Sequence, residues 1–324
     1  MFLRFTVPCD YRKPDNSQDY KIYWCDRCDY GTTENRPSKE EVESFYVLKD
    51  YYTHKSNNTR SNKHVLKNTS LNNVIARQRR NISFFDRLRI HLSYRLDRGE
   101  NLNPHEVKHL LKAARPTICE IGCGNGNNLT KFQAEGYAVF GVEPDPTARE
   151  IARKITPNIF AGTAEELPET VKNYKYDIVL MSHVLEHCLN INTVMCNVKE
   201  ILKDGGVYIV EIPNCNSLGF KTYQGEWPWS DIPRHLNFFT HSSLNKILKK
   251  HGFEVEVVKY SGYCRQFSNN WLNEEREIWN AFSQYRKDWH KKPNFKYRAW
   301  KLLLRSMFAS NSSKYDSVRL LGVK

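Results

Sequence analysis

Residues 117–126 read Thr-Ile-Cys-Glu-Ile-Gly-Cys-Gly-Asn-Gly, an apolar run that ends in a glycine-rich loop. The apolar run is typical of a buried strand, and the glycines allow the backbone to turn tightly and approach a ligand. The spacing is Glu-x-Gly-x-Gly-x-Gly, which differs from the Gly-x-Gly-x-x-Gly spacing of dinucleotide-binding loops. An acid at Glu120 would repel a pyrophosphate but could orient a cationic ligand. The segment therefore predicts a ligand site where a strand ends.

The chain beyond this loop alternates strand-like and helical patterns. Strands are predicted at 117–121, 138–142, 158–160, 176–182 and 207–212, with helices at 128–135, 146–154 and 191–202. Two more strands, 253–260 and 317–323, are predicted antiparallel to each other around a helical insertion at 265–314. Repeated strand–helix units build a parallel sheet with helices on both faces. The fold class is thus α/β, with a seven-stranded, mostly parallel sheet and an antiparallel last strand.

Three regions are predicted from the changes in pattern. Residues 1–60 form a small module with a cysteine pair, 61–115 a helical linker or lid, and 116–324 the main domain. Apolar residues at helical spacing across 71–96 predict one long or two shorter helices, and a helix is also predicted at 39–48. We therefore expect helical additions at both the N-terminal and the C-terminal ends of the sheet.

Composition and charge restrict the class of protein. Hydrophobic residues make up 40% of the 324, which excludes global disorder, and no apolar run approaches the ~20 residues of a membrane helix. Nine scattered cysteines without an export signal indicate reduced thiols and a cytoplasmic protein. The net charge is +8 for 1–115, −3 for 116–264 and +8 for 265–324. The basic flanks would attract phosphates, nucleic acid or an anionic membrane, or they are only a solvated surface.

Further motifs follow the loop in a recognisable order. The second strand ends at Glu143, whose two carboxylate oxygens can accept both hydroxyls of a ribose. The segments 162–168 and 182–187 follow, and together these motifs resemble the class I S-adenosylmethionine (SAM) methyltransferases, which have a Rossmann-like fold. The resemblance spans 118–253 and implies SAM as the cofactor, with the adenine beside Ala164 and Glu165. The cofactor-binding residues it implies are Glu120, Gly122, Cys123, Gly124, Gly126, Glu143, Pro144, Ala164, Glu165, Ser182 and His183.

Methylation of a hydroxyl requires a group that removes its proton, and histidine suits this role because its pKa lies near neutral. The candidates are His183, His187 and His235. His235 follows the fifth strand, in a loop that the topology would bring over the carboxyl ends of the strands. We therefore expect His235 to be the base and His183 to be the next candidate, whereas a structural His235 bonded to a backbone carbonyl is the alternative.

The loop around His235 resembles sugar and surface-polysaccharide methyltransferases of bacteria, and also the group that contains the ubiquinone-biosynthesis O-methyltransferases. The residues that carry this resemblance are Trp-Pro-Trp at 227–229 and Asp-x-Pro-Arg-His-Leu at 231–236. It implies a small-molecule or glycan substrate bound by an aromatic loop, and the basic flanks predict that the substrate is phosphorylated. The expected substrate residues are Tyr223, Trp227, Trp229 and Arg234, whereas a packed lid over the core is the alternative for Trp227 and Trp229.

Other functions remain open at this stage. His183, Glu186, His187 and His235 resemble the metal-binding set of small-RNA 2′-O-methyltransferases, with a histidine in place of the first glutamate. An RNA methyltransferase, assisted or not by a metal, is thus an alternative, and so is O-methylation of another small natural product. A non-catalytic scaffold is disfavoured because the loop, ribose and adenine motifs are all intact.

A cysteine pair near the start has the spacing of a zinc knuckle, Cys25-x-x-Cys28. Sugar methyltransferases of this appearance often open with a two-knuckle zinc module, but here only Cys9 remains of the other knuckle. Three cysteines with His54 or a water could bind zinc. A metal-free remnant of the module is the favoured interpretation.

Overall fold

The computed structural model describes residues 1–15, 17–34, 36–45, 83–111, 113–286 and 291–324. The strands, in chain order, are β1 (Phe2–Val7), β2 (Tyr20–Cys25), β3 (Tyr30–Thr33), β4 (Thr117–Ile121), β5 (Ala138–Val142), β6 (Ile159–Phe160), β7 (Tyr176–Ser182), β8 (Leu202–Pro213), β9 (Asn237–Phe239), β10 (Glu254–Ser261) and β11 (Ser317–Val323). The α-helices are α1 (Lys39–Phe45), α2 (Phe84–Leu96), α3 (Asn127–Ala134), α4 (Pro146–Ala152), α5 (Glu169–Lys172), α6 (Ile191–Ile201), α7 (Leu218–Tyr223), α8 (His241–Lys250), α9 (Asn269–Ser283), α10 (Phe295–Ser306) and α11 (Asn311–Lys314).

The central sheet has seven strands in the order β10-β11-β8-β7-β4-β5-β6. Strands β5, β4, β7 and β8 pair in parallel, and β6 adds to β5 in the same direction. Strand β11 is antiparallel to both of its neighbours. The predicted fold class, with its antiparallel last strand, is confirmed. The carboxyl ends of β4, β5 and β7 consequently lie at one edge of the sheet, where ligands bind in such folds.

Strand β7 shows why the sheet carries helices on both faces. Its side chains alternate, so that Ile178 and Leu180 enter one apolar cluster and Val179 and Met181 enter the other. All four are fully buried. An apolar run without polar alternation is what burial on both faces requires.

The first residues of the chain differ from the expected helical addition. Strands β1, β2 and β3 form a second sheet with β9, a short strand that comes from the loop after β8. Within β2, Ile22 and Trp24 point into an apolar cluster, while the other residues of the strand are less buried. This alternation in a run of aromatic and β-branched residues is a strand signal, so the described part of the N-terminal addition contains three strands as well as the helices α1 and α2.

Several predicted elements have shifted bounds. Strand β8 begins at Leu202 instead of 207, and a short 3-10 helix, Pro104–Leu110, comes before β4 in the chain. The helix predicted across 71–96 is observed as α2, while 71–82 and His54 lie outside the described residues. The insertion predicted at 265–314 contains α9, α10 and α11. Among the described residues, the helices are either too short or too polar to cross a lipid bilayer.

Candidate active site

The glycine-rich loop between β4 and α3 is fixed by backbone conformation and by close neighbours. Gly122, Gly124 and Gly126 have φ values of 71°, 51° and 81°, a region that side chains rarely adopt. A Cβ atom on Gly122 would lie 2.4 Å from Val184 Cγ2. The loop therefore presses against the segment that follows β7, and it exposes backbone where a ligand can approach.

Glu120 is a buried acid at the base of this loop. It is 2% exposed, and Asn128 donates a hydrogen bond of 2.8 Å to its Oε1 atom. The Oε2 atom has no hydrogen-bond partner among the described residues. Burial raises the pKa of Glu120 to about 8. A buried acceptor without a donor is costly, so this carboxyl suits a ligand that brings a cationic or hydrogen-bond-donating group.

Glu143 follows β5 and faces the same loop. The Gly124 N–H donates to its Oε2 atom at 2.7 Å, and the Asp145 N–H donates to its Oε1 atom at 3.0 Å. Burial raises the pKa of Glu143 above its ordinary value. Each carboxylate oxygen keeps a second lone pair, so an oriented acid is available for a diol such as ribose. Pro144, the next residue, is exposed.

The other predicted cofactor residues occupy more varied positions. Cys123 turns its thiol inward, close to Gly141, so that only its backbone belongs to the loop surface. Ala164 is buried, and its carbonyl accepts a hydrogen bond from Asn197. Glu165 accepts the Leu189 N–H at 2.7 Å, so its carboxylate anchors the turn before α6. The adenine segment is thus held against helix α6.

His183 lies at the end of β7 in a constrained conformation. Its φ is 57°, and its N–H donates to the Glu211 carbonyl at 2.8 Å. The imidazole stacks on Trp229, with ring centroids 4.5 Å apart and planes 13° apart. Its Nδ1 atom lies 3.4 Å from Glu186 Oε1, at ion-pair distance. The ring is therefore held between a carboxylate and an indole, and 18% of the side chain stays exposed.

His235 and His187 are packed against each other behind His183. The two rings meet edge to face with centroids 4.6 Å apart. His235 is 3% exposed, its Nδ1 atom lies 2.9 Å from the Trp229 carbonyl, and burial lowers its pKa to about 3. His187 is half-buried, with its Nδ1 atom 3.0 Å from the Arg234 carbonyl. Of the three predicted catalytic histidines, His183 directly precedes Val184, which packs beside the glycine-rich loop, and His235 has the backbone contact of a structural histidine.

Glu186 is the carboxylate that these histidines share. It is 1% exposed, and neither of its oxygens has a hydrogen-bond partner among the described residues. Burial alone would raise the pKa of Glu186, but the imidazoles of His183, His187 and His235 lower it below its ordinary value. These imidazoles thus favour the charged form of the Glu186 carboxylate.

A buried polar network holds Trp229, the residue that stacks on the His183 ring. The Trp229 Nε1–H donates to Asp316 at 3.1 Å, and the Arg265 guanidinium makes two hydrogen bonds of 2.6 and 2.9 Å to the same carboxylate. The Arg265 guanidinium also lies over the Trp229 ring, 4.6 Å from its centroid. Asp316 precedes β11, so the C-terminal part of the chain holds the Trp229 ring that stacks on His183.

Three of the four expected substrate residues have buried or half-buried side chains that contact other parts of the protein. Trp227 is 1% exposed and packs in the apolar cluster with Phe220 and Trp271. Arg234 is 1% exposed, and ion pairs with Asp10 and Asp231 hold its guanidinium.

Tyr223 is half-buried and donates its hydroxyl to the Arg298 carbonyl at 3.1 Å. Among these four residues, Trp229 is the one whose ring stacks on a predicted catalytic histidine, His183, whereas Arg234 contacts His187 through its backbone carbonyl.

The three N-terminal cysteines do not form one cluster of metal ligands in the described part of the chain. Cys25 and Cys28 lie on a turn after β2, where the Cys28 N–H approaches Cys25 Sγ at 3.3 Å. Cys9 is fully buried in an apolar cluster with Val7 and Ile22, and burial raises its pKa to about 11.

Sequence reasoning did not select Asp316, Arg265 or Glu211 as parts of this site. Asp316 and Arg265 are separated by 51 residues along the chain and meet only after the insertion folds. Glu211 pairs with Ser182 in the sheet and holds buried ionic contacts with Arg319. A charged residue inside the apolar run of β8 is a visible signal for Glu211, whereas no local pattern marks the other two.

The sequence matches a family model described as "Methyltransferase domain" over residues 89–258. A ubiquinone biosynthesis O-methyltransferase from Rickettsia canadensis is 24% identical over 197 residues, which cover 57% of this chain and 81% of the relative. The corresponding protein of Chelativorans is 30% identical over 135 residues, which cover 38% of this chain and 53% of the relative.

Solved structures of SAM-dependent methyltransferases also align with this chain. One from Thermotoga maritima has 21% identity and a TM-score of 0.44, with 78% of this chain and 98% of that chain covered. One from Archaeoglobus fulgidus has 18% identity and a TM-score of 0.46, with 73% and 94% covered.

Proposed function

Because the chain belongs to the methyltransferase domain family, whose cofactor is SAM, we propose that it methylates a hydroxyl oxygen of a sugar, in a nucleotide sugar or a surface polysaccharide. The observation that carries the proposal is the position of His183 directly after β7, where the chain meets the glycine-rich loop. Its neighbour Val184 fills the space beside Gly122, and its own ring is stacked on Trp229. An imidazole in this place can serve an acceptor hydroxyl at the cofactor's reactive end.

The loop residues fit the cofactor. Bound SAM supplies a methyl group on a positively charged sulfur. An oxygen nucleophile can attack this methyl carbon while the sulfur leaves as a neutral thioether. Glu120 would hold the cationic amino-acid part with its unpaired Oε2 atom, and Glu143 would hold the ribose hydroxyls. Ala164 and Glu165 would line the adenine. These contacts would hold the amino-acid part, the ribose and the adenine of the cofactor, and His183 would lie on its methyl side.

His183 is proposed to remove the proton from the acceptor hydroxyl. Glu186 faces its Nδ1 atom, so the Nε2 atom is the one available for the proton. A carboxylate behind an imidazole orients the ring and stabilises it once the ring is protonated. His235 then has a positioning role, since it fixes the Trp229 carbonyl from behind.

Charge and similarity support the choice of acceptor. The relatives named ubiquinone biosynthesis O-methyltransferases favour oxygen as the acceptor atom. The basic flanks, +8 at each end of the chain, would attract the phosphates of a nucleotide sugar or an anionic membrane that carries a lipid-linked glycan. Nucleic acid is also anionic and would be attracted by the same flanks, but it is the less favoured partner.

The test is an acceptor screen with SAM labelled in its methyl group. The panel contains nucleotide sugars, oligosaccharides, a catechol and a short RNA, and mass spectrometry locates the label in each product. We expect label on a sugar oxygen, and we expect His183→Gln to abolish most of it while the remote control His251→Gln does not. Label on the catechol or on RNA alone would refute the sugar assignment.

A further inference from the structure

Glu186, His187 and His235 form a cluster, and the proposed proton transfer uses only part of it. One ligand atom each of Glu186, His187 and His235 lies within 4.8 Å of the others. His235 Nε2 is 3.9 Å from Glu186 Oε1. Neither Glu186 oxygen receives a hydrogen bond from a described residue, although the side chain is 1% exposed. A buried carboxylate left without donors requires another source of compensating charge.

The backbone contacts of the two imidazoles decide which nitrogen each one presents. Carbonyl oxygens can only accept, so the carbonyls of Trp229 and Arg234 place the proton of each neutral ring on Nδ1. The Nε2 atoms then carry the lone pairs. An imidazole whose other nitrogen donates to a backbone carbonyl is the usual arrangement of a histidine metal ligand.

We infer that Glu186, His187 and His235 bind a divalent transition-metal ion. Two neutral imidazoles and one carboxylate suit Mn²⁺, Fe²⁺, Co²⁺ or Zn²⁺, whereas Mg²⁺ prefers oxygen ligands. Metal–ligand bonds of about 2.1 Å place the ligand atoms of a tetrahedral site about 3.4 Å apart, so the side chains need to move inward by only about 1 Å.

The position of the cluster gives the ion a function in methyl transfer. This part of the inference rests on the proposed function. Glu186 faces the His183 ring, and His183 directly precedes Val184, whose side chain packs beside Gly122 of the loop. Three protein ligands leave a coordination position open, and an oxygen of the acceptor sugar could take it. The ion would then orient the acceptor beside His183. Metal binding itself needs neither SAM nor acceptor and is measured separately.

The experiment uses the full chain carrying Cys25→Ser and Cys28→Ser, which removes the thiols as competing ligands. After treatment with a chelator, the protein is dialysed against Co²⁺, Mn²⁺, Zn²⁺ or Mg²⁺, and bound metal is counted by elemental analysis. We expect about one transition-metal ion per chain, visible absorption with Co²⁺, and no stoichiometric Mg²⁺. Glu186→Gln and His235→Asn should each weaken binding at least about tenfold, and the remote control His251→Asn should not.

Two results would overturn the site. One is the absence of stoichiometric binding by any of the four ions. The other is unchanged affinity in Glu186→Gln and in His187→Asn, a variant of the half-buried ligand that tests the site if the buried variants fail to fold. Stoichiometric binding without sugar methylation would refute the proposed function and leave the metal site standing.

Discussion

Replacing Glu120 by glutamine should stabilise the protein and weaken its cofactor affinity at the same time. In the folded chain, burial raises the pKa of Glu120 from 4.5 to about 8. The unfolded chain therefore releases this proton between those two pH values while the folded chain keeps it. Since each pH unit in that interval costs about 1.4 kcal/mol, keeping Glu120 buried lowers the free energy of unfolding by about 3 kcal/mol at pH 7.

The sign and the pH window of this effect follow from the same pKa values. The penalty is absent below pH 4.5, grows as pH rises, and is complete above about pH 8. Glu120→Gln keeps the acceptor for Asn128 and removes the ionisable group. The stability gain of the variant should thus be below about 1 kcal/mol at pH 5 and largest near pH 8.5.

Urea unfolding at pH 5, 7 and 8.5 measures the gain, with the exposed Glu256→Gln as the control that should change little. Calorimetry near pH 8 should show SAM binding to Glu120→Gln weakened by about ten- to a hundredfold, because a charge-assisted contact is lost. An equal gain in stability at pH 5 and pH 8.5, or no gain at either, would refute the assignment of Glu120 as a buried neutral acid.

Three further predictions concern other parts of the site. Glu143→Ala should weaken SAM binding at least about tenfold in calorimetry, and unchanged affinity would remove Glu143 from the ribose site. Trp229→Phe keeps a ring against His183 but loses the bond to a buried carboxylate, so urea unfolding should show a loss of about 1–3 kcal/mol; wild-type stability would contradict the network. The double variant Cys25→Ser, Cys28→Ser should keep the wild-type zinc content. Loss of about one zinc per chain would show that these thiols are zinc ligands.

Local patterns were sufficient to predict the sheet and the cofactor loop. The run from Ile178 to Met181 requires apolar surroundings on both faces, which only a parallel, doubly covered sheet provides. The spacing of Glu120 and the loop glycines likewise encodes a strand, a tight turn and an acid in sequence order. These features depend on residues close together in the chain, so sequence alone carries them.

Contacts between distant segments could not be predicted in the same way. The pairing of β3 with β9 joins Tyr30 to Phe239, and the stack on His183 depends on Asp316 holding Trp229. Nothing in the sequence around His235 distinguishes a histidine that faces a ligand from one that donates to the Trp229 carbonyl. The proposal of His183 rather than His235 as the base therefore needed the three-dimensional arrangement.

The most direct test of hydroxyl methylation at this site is the single-turnover rate of methyl transfer in His183→Gln with SAM saturating. The rate should fall by about 10²–10⁴-fold because the proton acceptor is lost, while SAM affinity measured by calorimetry stays within a factor of a few. This separation is expected because the cofactor contacts proposed for Glu120 and Glu143 do not involve His183. A variant that transfers methyl groups at the wild-type rate would contradict the assignment of His183 as the base.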